Sequence, residues 1–417
     1  MQKNESRFSY GYIIVICFFL TLFLMHGAHI TFGVFFSPIQ NELGWNKTVV
    51  SGAVSLGSIL GGLFMIIAGR LTDRFGPRLI MTVSGVTLGL GFFLMSRVTS
   101  LWQLYLAWGV IIAIGISSGD VTSLGTTARW FVHRRGLMSG VVKVGTGLGI
   151  LAMPLISGWL ISSYGWRNAY IVLGVACLAI ITSIAQLLKR DPGVKISRLH
   201  DATQEPAGSQ GKETSGDTGF SLRVAVSTRQ FWTVVVMFFL FNYCAGTLIT
   251  HITPHGLSIG LSTTSAASLL SAIGGASIVG RLVMGGTSDR TGVRRGVVYC
   301  FLIFLIALVW LQFAKTLWPL YLFTAVYGFA HGGIVALISP LIAELFGTRV
   351  HGAIFGVVLF FGMLGNAIGV TIAGRIFDIT SSYQMAFLIM ALASFAGFVL
   401  SIILKPTRLT QGTGKNG

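Results

Sequence analysis

The sequence predicts an all-α membrane protein in which twelve transmembrane helices form two pseudo-symmetric six-helix bundles. Three observations predict this fold class: an apolar composition, a row of long apolar segments, and a charged motif that occurs twice. The mean hydropathy is +0.80, and of the 417 residues 53% are hydrophobic and only 10% are charged. This composition is too apolar for a soluble globular protein, so we expect the chain to lie in a membrane.

The apolar segments follow one another along the whole chain, with short polar loops between them. A helix of roughly 20 residues crosses the ~30 Å hydrocarbon core of a bilayer, and twelve segments approach or exceed that length. In the first half they are residues 11–37, 48–70, 79–96, 101–127, 137–161 and 168–188. In the second half they are residues 231–257, 263–286, 296–314, 317–345, 352–376 and 383–404. The first segment lacks the three-part pattern of a signal peptide, so we expect it to be a retained span.

A polar stretch divides the row of apolar segments into six and six. It is rich in Gly, Ser, Thr, Asp and Lys, a composition that cannot bury a core and predicts a mobile linker. We therefore expect an N-terminal six-helix bundle at 1–189, a cytoplasmic linker at 190–230 and a C-terminal six-helix bundle at 231–417.

The distribution of basic residues predicts the orientation in the membrane. Most of the 29 Lys and Arg residues lie in the termini, the central linker and the loops that follow even-numbered spans. Basic residues mark the cytoplasmic side, so both termini should be cytoplasmic in a multi-pass protein of the plasma (inner) membrane. The same pattern explains most of the net charge of +17. No basic run with interleaved aromatic residues occurs, and we expect no nucleic-acid partner.

Two charged motifs indicate an internal duplication. "GRLTDRFGPR" at 69–78 and "GGTSDRTGVRR" at 285–295 each lie between the second and third span of their own half, and Asp73 and Asp289 are 216 positions apart. At the same offset, "RRGLMSG" ends at Gly140 and "VHGAIFG" ends at Gly356. The two halves therefore read as repeats of one six-span unit.

With this doubled motif the chain resembles major facilitator superfamily transporters over essentially its whole length. The resemblance implies the major facilitator fold and a conformational latch at the motifs. It implies that Asp73 meets a cytoplasmic helix end and a nearby guanidinium, that of Arg129 or Arg134, when the cytoplasmic side is closed. The alternative is that these charges only set the topology. The other latch residues that the motifs supply are Gly69, Arg74, Gly76, Arg78, Asp289, Arg290 and Gly292.

Within the superfamily, two stretches resemble the monocarboxylate transporters. "WFVHRRGLMSGVVKVGTGLG" at 130–149 is similar to their fifth-span signature, and "SIVGRLVMGGTSDR" at 277–290 aligns Arg281 with their substrate Arg. Two positions depart from the family: Ser277 stands where many animal members have Asp, and their first-span Lys falls near Ile30. The oxalate/formate exchangers are also similar, but the eleventh span lacks the second cation that a dianion carrier uses.

Charged residues inside spans are costly and are candidates for function. Arg281 should lie ~12 Å inside the boundary of its helix, where its guanidinium can bind a carboxylate. The alternative is an Arg that snorkels to the interface or is paired structurally. Asp120 and Lys143 should lie at equal depth on neighbouring helices, which predicts an ion pair. The alternative is that Asp120 carries the coupling proton.

Histidines and other polar residues complete the candidate site. We expect His251, His29 and His331 to contact substrate, with interhelical hydrogen bonds as the alternative, and His251 is a further candidate for proton coupling. The resemblance places the seventh and eleventh spans along a central cavity, where Tyr243 and Asn366 could bind substrate.

We therefore expect a secondary active transporter of small monocarboxylates, such as lactate- or pyruvate-like acids, by proton-coupled symport and alternating access. The expected partners are the substrate, protons and the lipid bilayer, with no cofactor and no metal, and the chain should function as a monomer. An anion exchanger of the oxalate/formate type, a drug or organic-ion exporter and a non-transporting sensor are alternatives. An enzyme is not expected, since no nucleophile–base set or metal-ligand cluster is visible and the four cysteines form no close pairs.

Overall fold

The computed structural model describes residues 2–45, 47–190 and 222–404. Within these ranges every secondary-structure element of more than one residue is a helix. We number the membrane spans 1 to 12. In the first half the helices are Gln2–Ile30 and Phe32–Leu43 (span 1), Lys47–Phe75 (span 2), Pro77–Met95 (span 3), Leu101–Leu104, Tyr105–Ile112 and Ala113–Trp130 (span 4), and Arg135–Ala176, Cys177–Ile181 and Thr182–Gln186 (spans 5 and 6). In the second half they are Leu222–Val226, Arg229–Ser258 (span 7), Thr263–Thr291 (span 8), Val293–Leu311 (span 9), Leu317–Phe346 (span 10), His351–Thr380 (span 11) and Gln384–Ile403 (span 12).

A single glycine separates spans 5 and 6. Eleven helical runs in the described residues are long and apolar enough to cross a membrane, and one of them, Arg135–Gln186, has 52 residues. One crossing needs only about 20 residues. The run turns at Gly165, whose φ of 79° and ψ of 158° are not helical, and an L side chain rarely adopts a positive φ. Gly165 therefore divides this run into two crossings, and the described residues contain the twelve spans that the sequence predicts.

The pairing of helices is the same in both halves. Span 1 packs on span 5, span 2 on span 4 and span 3 on span 6, while span 7 packs on span 11, span 8 on span 10 and span 9 on span 12. Glycines allow these contacts: a Cβ at Gly149 would overlap the Phe23 carbonyl of span 1, and a Cβ at Gly332 would overlap the Ser277 carbonyl of span 8. Each half is thus a bundle with the same internal order, as expected for repeats.

The two halves meet through two symmetric helix pairs. Span 2 packs on span 11, and span 8 packs on span 5. The outer surface is apolar, with large exposed side chains such as Leu155, Trp159, Phe313 and Trp318. An apolar exterior suits lipid rather than water.

Part of the expected linker is helical. Residues 191–221 lie outside the described part of the chain, but Leu222–Val226 forms a short helix with Ala225 buried, and span 7 already begins at Arg229. The mostly apolar sequence LRVAV explains the difference, because its apolar side chains can pack against spans 7 and 11.

Candidate functional site

Asp73 connects the end of span 2 to the start of span 11 in the other half. Its carboxylate accepts hydrogen bonds from the backbone N–H groups of Gly352 (3.2 Å) and Ala353 (2.9 Å) and from Nη2 of Arg129 (2.5 Å). Arg129 also donates to the carbonyl oxygen of Thr348. A carboxylate at a helix N-terminus satisfies free N–H groups and meets the positive end of the helix dipole. Asp73 therefore holds the two halves together at this end of the molecule, which we call the motif face.

Asp289 makes the equivalent contact from span 8 to span 5. Its carboxylate accepts from the backbone N–H groups of Gly136 (2.8 Å) and Leu137 (2.9 Å), and it is attracted to the guanidinium of Arg134. Arg129 and Arg134, the two partners considered for Asp73, thus lie at different motifs: Arg129 pairs with Asp73, and Arg134 faces Asp289.

The first glycine of each motif makes these contacts possible. A Cβ at Gly69 would overlap the backbone carbonyl of Gly352, and a Cβ at Gly285 would overlap that of Gly136. The backbones of facing helices therefore touch, which brings each Asp one turn later to the facing helix end. The last glycine of each motif, Gly76 (φ 83°) or Gly292 (φ 94°), ends its helix in a conformation that glycine adopts without strain.

The remaining motif arginines lie outside this junction. Arg78 donates from Nε to the side chain of Gln186 (2.8 Å), which connects spans 3 and 6 within one half. Arg74 is exposed and lies over the ring of Phe75 (5.1 Å), and Arg290 is exposed. Nothing in the described structure places these three side chains between the halves.

A cavity of about 300 Å³ lies between the halves. It is lined by residues of spans 1, 2, 4, 5, 7, 10 and 11. Most of the lining is apolar, and the polar side chains in it are His26, His29, Ser58, Asp120, Lys143, Asn242 and His331. A mostly apolar cavity with a few polar groups is typical of a small-molecule site.

Asp120 and Lys143 form an ion pair at the edge of this cavity. Nζ of Lys143 lies 2.8 Å from Oδ1 of Asp120, and both side chains are largely buried. Nε2 of His26 lies 3.3 Å from the same oxygen. One carboxylate from span 4 therefore faces two basic groups, one from span 5 and one from span 1.

Arg281 lies behind Lys143 and is not among the cavity-lining residues. It is 7% exposed, and its Nη1 donates to the backbone carbonyl of Lys143 (2.6 Å). Its Nε is buried without a hydrogen-bond partner, and its charge attracts Asp120. The guanidinium thus sits between the halves, next to the cavity, where it supports Lys143.

The structure separates the three predicted histidines. His29 lines the cavity and stacks on Trp108 (5.3 Å between ring centroids). His331 lines it from span 10, with Nδ1 3.3 Å from Oγ of Ser277. His251 lies elsewhere, with Nε2 3.1 Å from the carbonyl oxygen of Val370 in span 11.

Two further predicted contacts also lie away from the cavity lining. Tyr243 is 7% exposed, and the side chain of Asn366 packs against Gly246 between spans 7 and 11. Sequence reasoning did not select the cavity-lining side chains of His26 and Ser58. A signal for His26 was available, since His26 and His29 are one helical turn apart and share a face.

Comparison with known proteins agrees with this geometry. A family model described as Major Facilitator Superfamily matches residues 18–295 and 257–417. Monocarboxylate transporter 12 of Mus musculus is 28% identical over 403 residues, covering 92% of this chain and 80% of that protein. Monocarboxylate transporter 13 of Bos taurus is 26% identical, covering 95% and 89%. The crystal structure of the E. coli fucose:proton symporter superposes with a TM-score of 0.69 at 16% identity, covering 95% of this chain and 100% of that one.

Two six-helix bundles around a central, mostly apolar cavity, joined by a doubled charged motif, are the architecture of a membrane transporter. The chain belongs to the Major Facilitator Superfamily. It is an integral multi-pass membrane protein that acts as a transporter rather than an enzyme, and the resemblance to the monocarboxylate transporters is confirmed.

Proposed function

We propose that this protein is a proton-coupled symporter of small monocarboxylates. The observation that carries the proposal is the charge beside the cavity. Asp120, Lys143 and Arg281 lie together, so the one carboxylate leaves one positive charge in excess. A buried charge without a counter-charge is costly, and a single carboxylate supplies that counter-charge.

The cavity supports a small and singly charged substrate. A volume of about 300 Å³ lies at the low end of ligand sites, which suits an acid of a few carbon atoms. In the described lining Lys143 is the only Lys or Arg. A dicarboxylate would therefore bring two negative charges to a single lining cation. The relatives named monocarboxylate transporters 12 and 13 favour the same substrate class.

We further propose that the motif face is cytoplasmic, since it carries most of the basic loop residues. The contacts of Asp73 and Asp289 then close the cytoplasmic side. Substrate reaches the cavity from the other side of the plasma (inner) membrane. The chain holds its own cavity between its two halves, which supports function as a monomer.

Purified protein in liposomes tests the proposal. With an imposed inward proton gradient, the protein should take up labelled lactate or pyruvate faster than oxalate or bulky organic cations. This uptake should also be faster than the exchange of external oxalate for internal formate. One anion moving with one proton carries no net charge, so uptake should follow the pH gradient and not respond to membrane voltage.

Three results would contradict this function in different ways. Exchange of oxalate for formate without a proton gradient would indicate the anion exchanger. Preference for bulky cations would indicate an exporter. Voltage-driven uptake that is insensitive to pH would exclude electroneutral symport.

A further inference from the structure

The arrangement of the three charged residues differs from a simple binding site for an anion. Arg281 holds the backbone of Lys143 through its carbonyl oxygen (2.6 Å), while the side chain of Lys143 reaches the cavity and ends on Asp120 (2.8 Å). The Lys143 backbone is thus held in place, and only the rotatable bonds of its four-carbon side chain can move the ammonium within the cavity. Asp120 and Lys143 both line the same cavity.

We propose that Lys143 is the residue that binds the substrate carboxylate, and that it does so by leaving Asp120 when Asp120 takes up the coupling proton. This inference rests on the monocarboxylate symport proposed above. A proton from cavity water forms an O–H bond on the Asp120 carboxylate, which becomes neutral. The Lys143 ammonium then turns to the substrate carboxylate. On release, Asp120 loses the proton to water and Lys143 returns to it.

Pairing at Lys143 makes the two binding events depend on each other. Lys143 is the only Lys or Arg in the described lining, so substrate without a proton would leave two carboxylates to share one lining cation, and a proton without substrate would leave the Lys143 ammonium without a carboxylate next to Arg281. A buried charge without its partner is strongly unfavourable. The two favourable states are therefore the empty site with an Asp120–Lys143 pair and the loaded site with both proton and substrate.

The groups around Asp120 fit this role. Lys143 faces Asp120 from span 5, and Arg281 attracts it from span 8. From span 1, Nε2 of His26 lies 3.3 Å from Oδ1 of Asp120. His331 on span 10 experiences the positive charges of Arg281 and Lys143. His26 also lines the cavity and is partly exposed, so it can pass a proton between cavity water and Asp120. Arg281 acts as a positioning residue for Lys143.

The decisive variant is Asp120→Asn, which imitates the protonated acid. In liposomes it should bind and exchange labelled lactate for internal lactate across pH 6 to 8 with no pH dependence. It should not accumulate lactate against a gradient when a proton gradient is imposed. Lys143→Gln should lower both exchange and uptake by at least about tenfold, because the substrate loses its charged partner.

Two further variants separate this mechanism from a structural ion pair. The double variant Asp120→Asn/Lys143→Gln removes the pair without leaving an unpaired charge, and it should fold but stay as inactive as Lys143→Gln. Glu42→Gln removes a carboxylate of the same half that does not line the cavity, and it should keep wild-type proton coupling.

Uphill, proton-driven accumulation by Asp120→Asn would overturn the proposal, and so would wild-type transport by the double variant. Both outcomes are distinct from failure of the proposed function. In that case the wild-type protein itself would show no proton-driven uptake of any monocarboxylate.

Discussion

Glu42 and its partners close the end of the first half that is opposite the motif face. The carboxylate accepts from the Trp166 indole (2.5 Å) and from Nη2 of Arg167 (2.9 Å), and Arg167 also donates to the carbonyl oxygens of Ser96 and Val98. These bonds connect the end of span 1, the loop between spans 3 and 4 and the turn between spans 5 and 6. Arg167, held by Glu42, thus connects three segments of the first bundle.

The Glu42 contacts predict a pH-dependent stability. The hydrogen bond from Trp166, with that from Arg167, lowers the pKa of the Glu42 carboxyl below its usual value. A lowered pKa means that the carboxylate stabilises the fold above the unfolded pKa, and that this contribution is lost as the pH falls through the folded value. Glu42→Gln should therefore reduce stability at pH 7 by up to about 1 kcal/mol, since the group is exposed.

Thermal unfolding in detergent from pH 3 to pH 8 measures this effect. The difference between wild type and Glu42→Gln should shrink as the pH falls below about 4. A difference that stays constant over the whole range would show that Glu42 contributes through packing and not through its charge.

At the residue scale, the sequence predicted ion pairs better than it predicted the cavity. Counting residues from the turn between spans 4 and 5 placed Asp120 and Lys143 at equal depth, and their contact follows from that count. The direction of a side chain depends on helix rotation, which packing decides. That is why Arg281 lies behind Lys143, and why His26 lines the cavity while His251 does not.

At the element scale, the glycines of the doubled motif decide whether the halves can close. Gly285 touches the backbone of Gly136 in span 5, so an added methyl group would force spans 5 and 8 apart and pull Asp289 away from its N–H partners. The neighbouring Gly286 has room, since its added Cβ would meet only Cδ1 of Leu137 at 3.6 Å. These two adjacent glycines form a matched pair for a test.

Gly285→Ala should slow transport by roughly tenfold and increase the population that is open at the motif face. The reason is that an extra methyl group forced into a packed contact costs ~1–3 kcal/mol. Gly286→Ala should transport like wild type. Both changes raise helix propensity by the same ~0.5–1 kcal/mol, so the comparison isolates the contact. Initial uptake rates and spin-label distances between spans 5 and 8 measure the two effects. Equal behaviour of the variants would refute a steric role for Gly285.

Most elements could be predicted because hydrophobic length and repetition determine them. Their boundaries were less accurate: span 2 continues through Asp73 to Phe75, and the expected loop before span 7 contains the helix Leu222–Val226. The backbone of span 2 stays helical past its last apolar run, whereas Leu222–Val226 is a separate short helix that comes before span 7. Side-chain polarity alone does not show where a helix ends, whereas the positive φ angles of Gly76 and Gly165 do.

At the scale of the whole molecule, the two motif contacts are symmetric in position and in composition. Asp73 accepts from two backbone N–H groups and is paired with Arg129, while Asp289 accepts from two backbone N–H groups and is attracted to the guanidinium of Arg134. Hydrogen bonds to charged groups contribute about 1.5–3 kcal/mol each. Both contacts should therefore stabilise the state that is closed at the motif face.

This symmetry predicts that both motifs control the change between the two states of the transporter. Asp73→Asn loses the ion pair with Arg129, and it should shift the equilibrium toward the state open at the motif face by about 1.5–3 kcal/mol, roughly tenfold or more. Asp289→Asn should shift it in the same direction. Spin-label distances between spans 2 and 11 and between spans 5 and 8 report the populations, and uptake assays report rate and substrate preference. Because both residues lie outside the cavity, the preference among carboxylates should not change in either variant. A changed preference with an unchanged rate would mean that the motifs select the substrate and that the residues around Lys143 set the conformation.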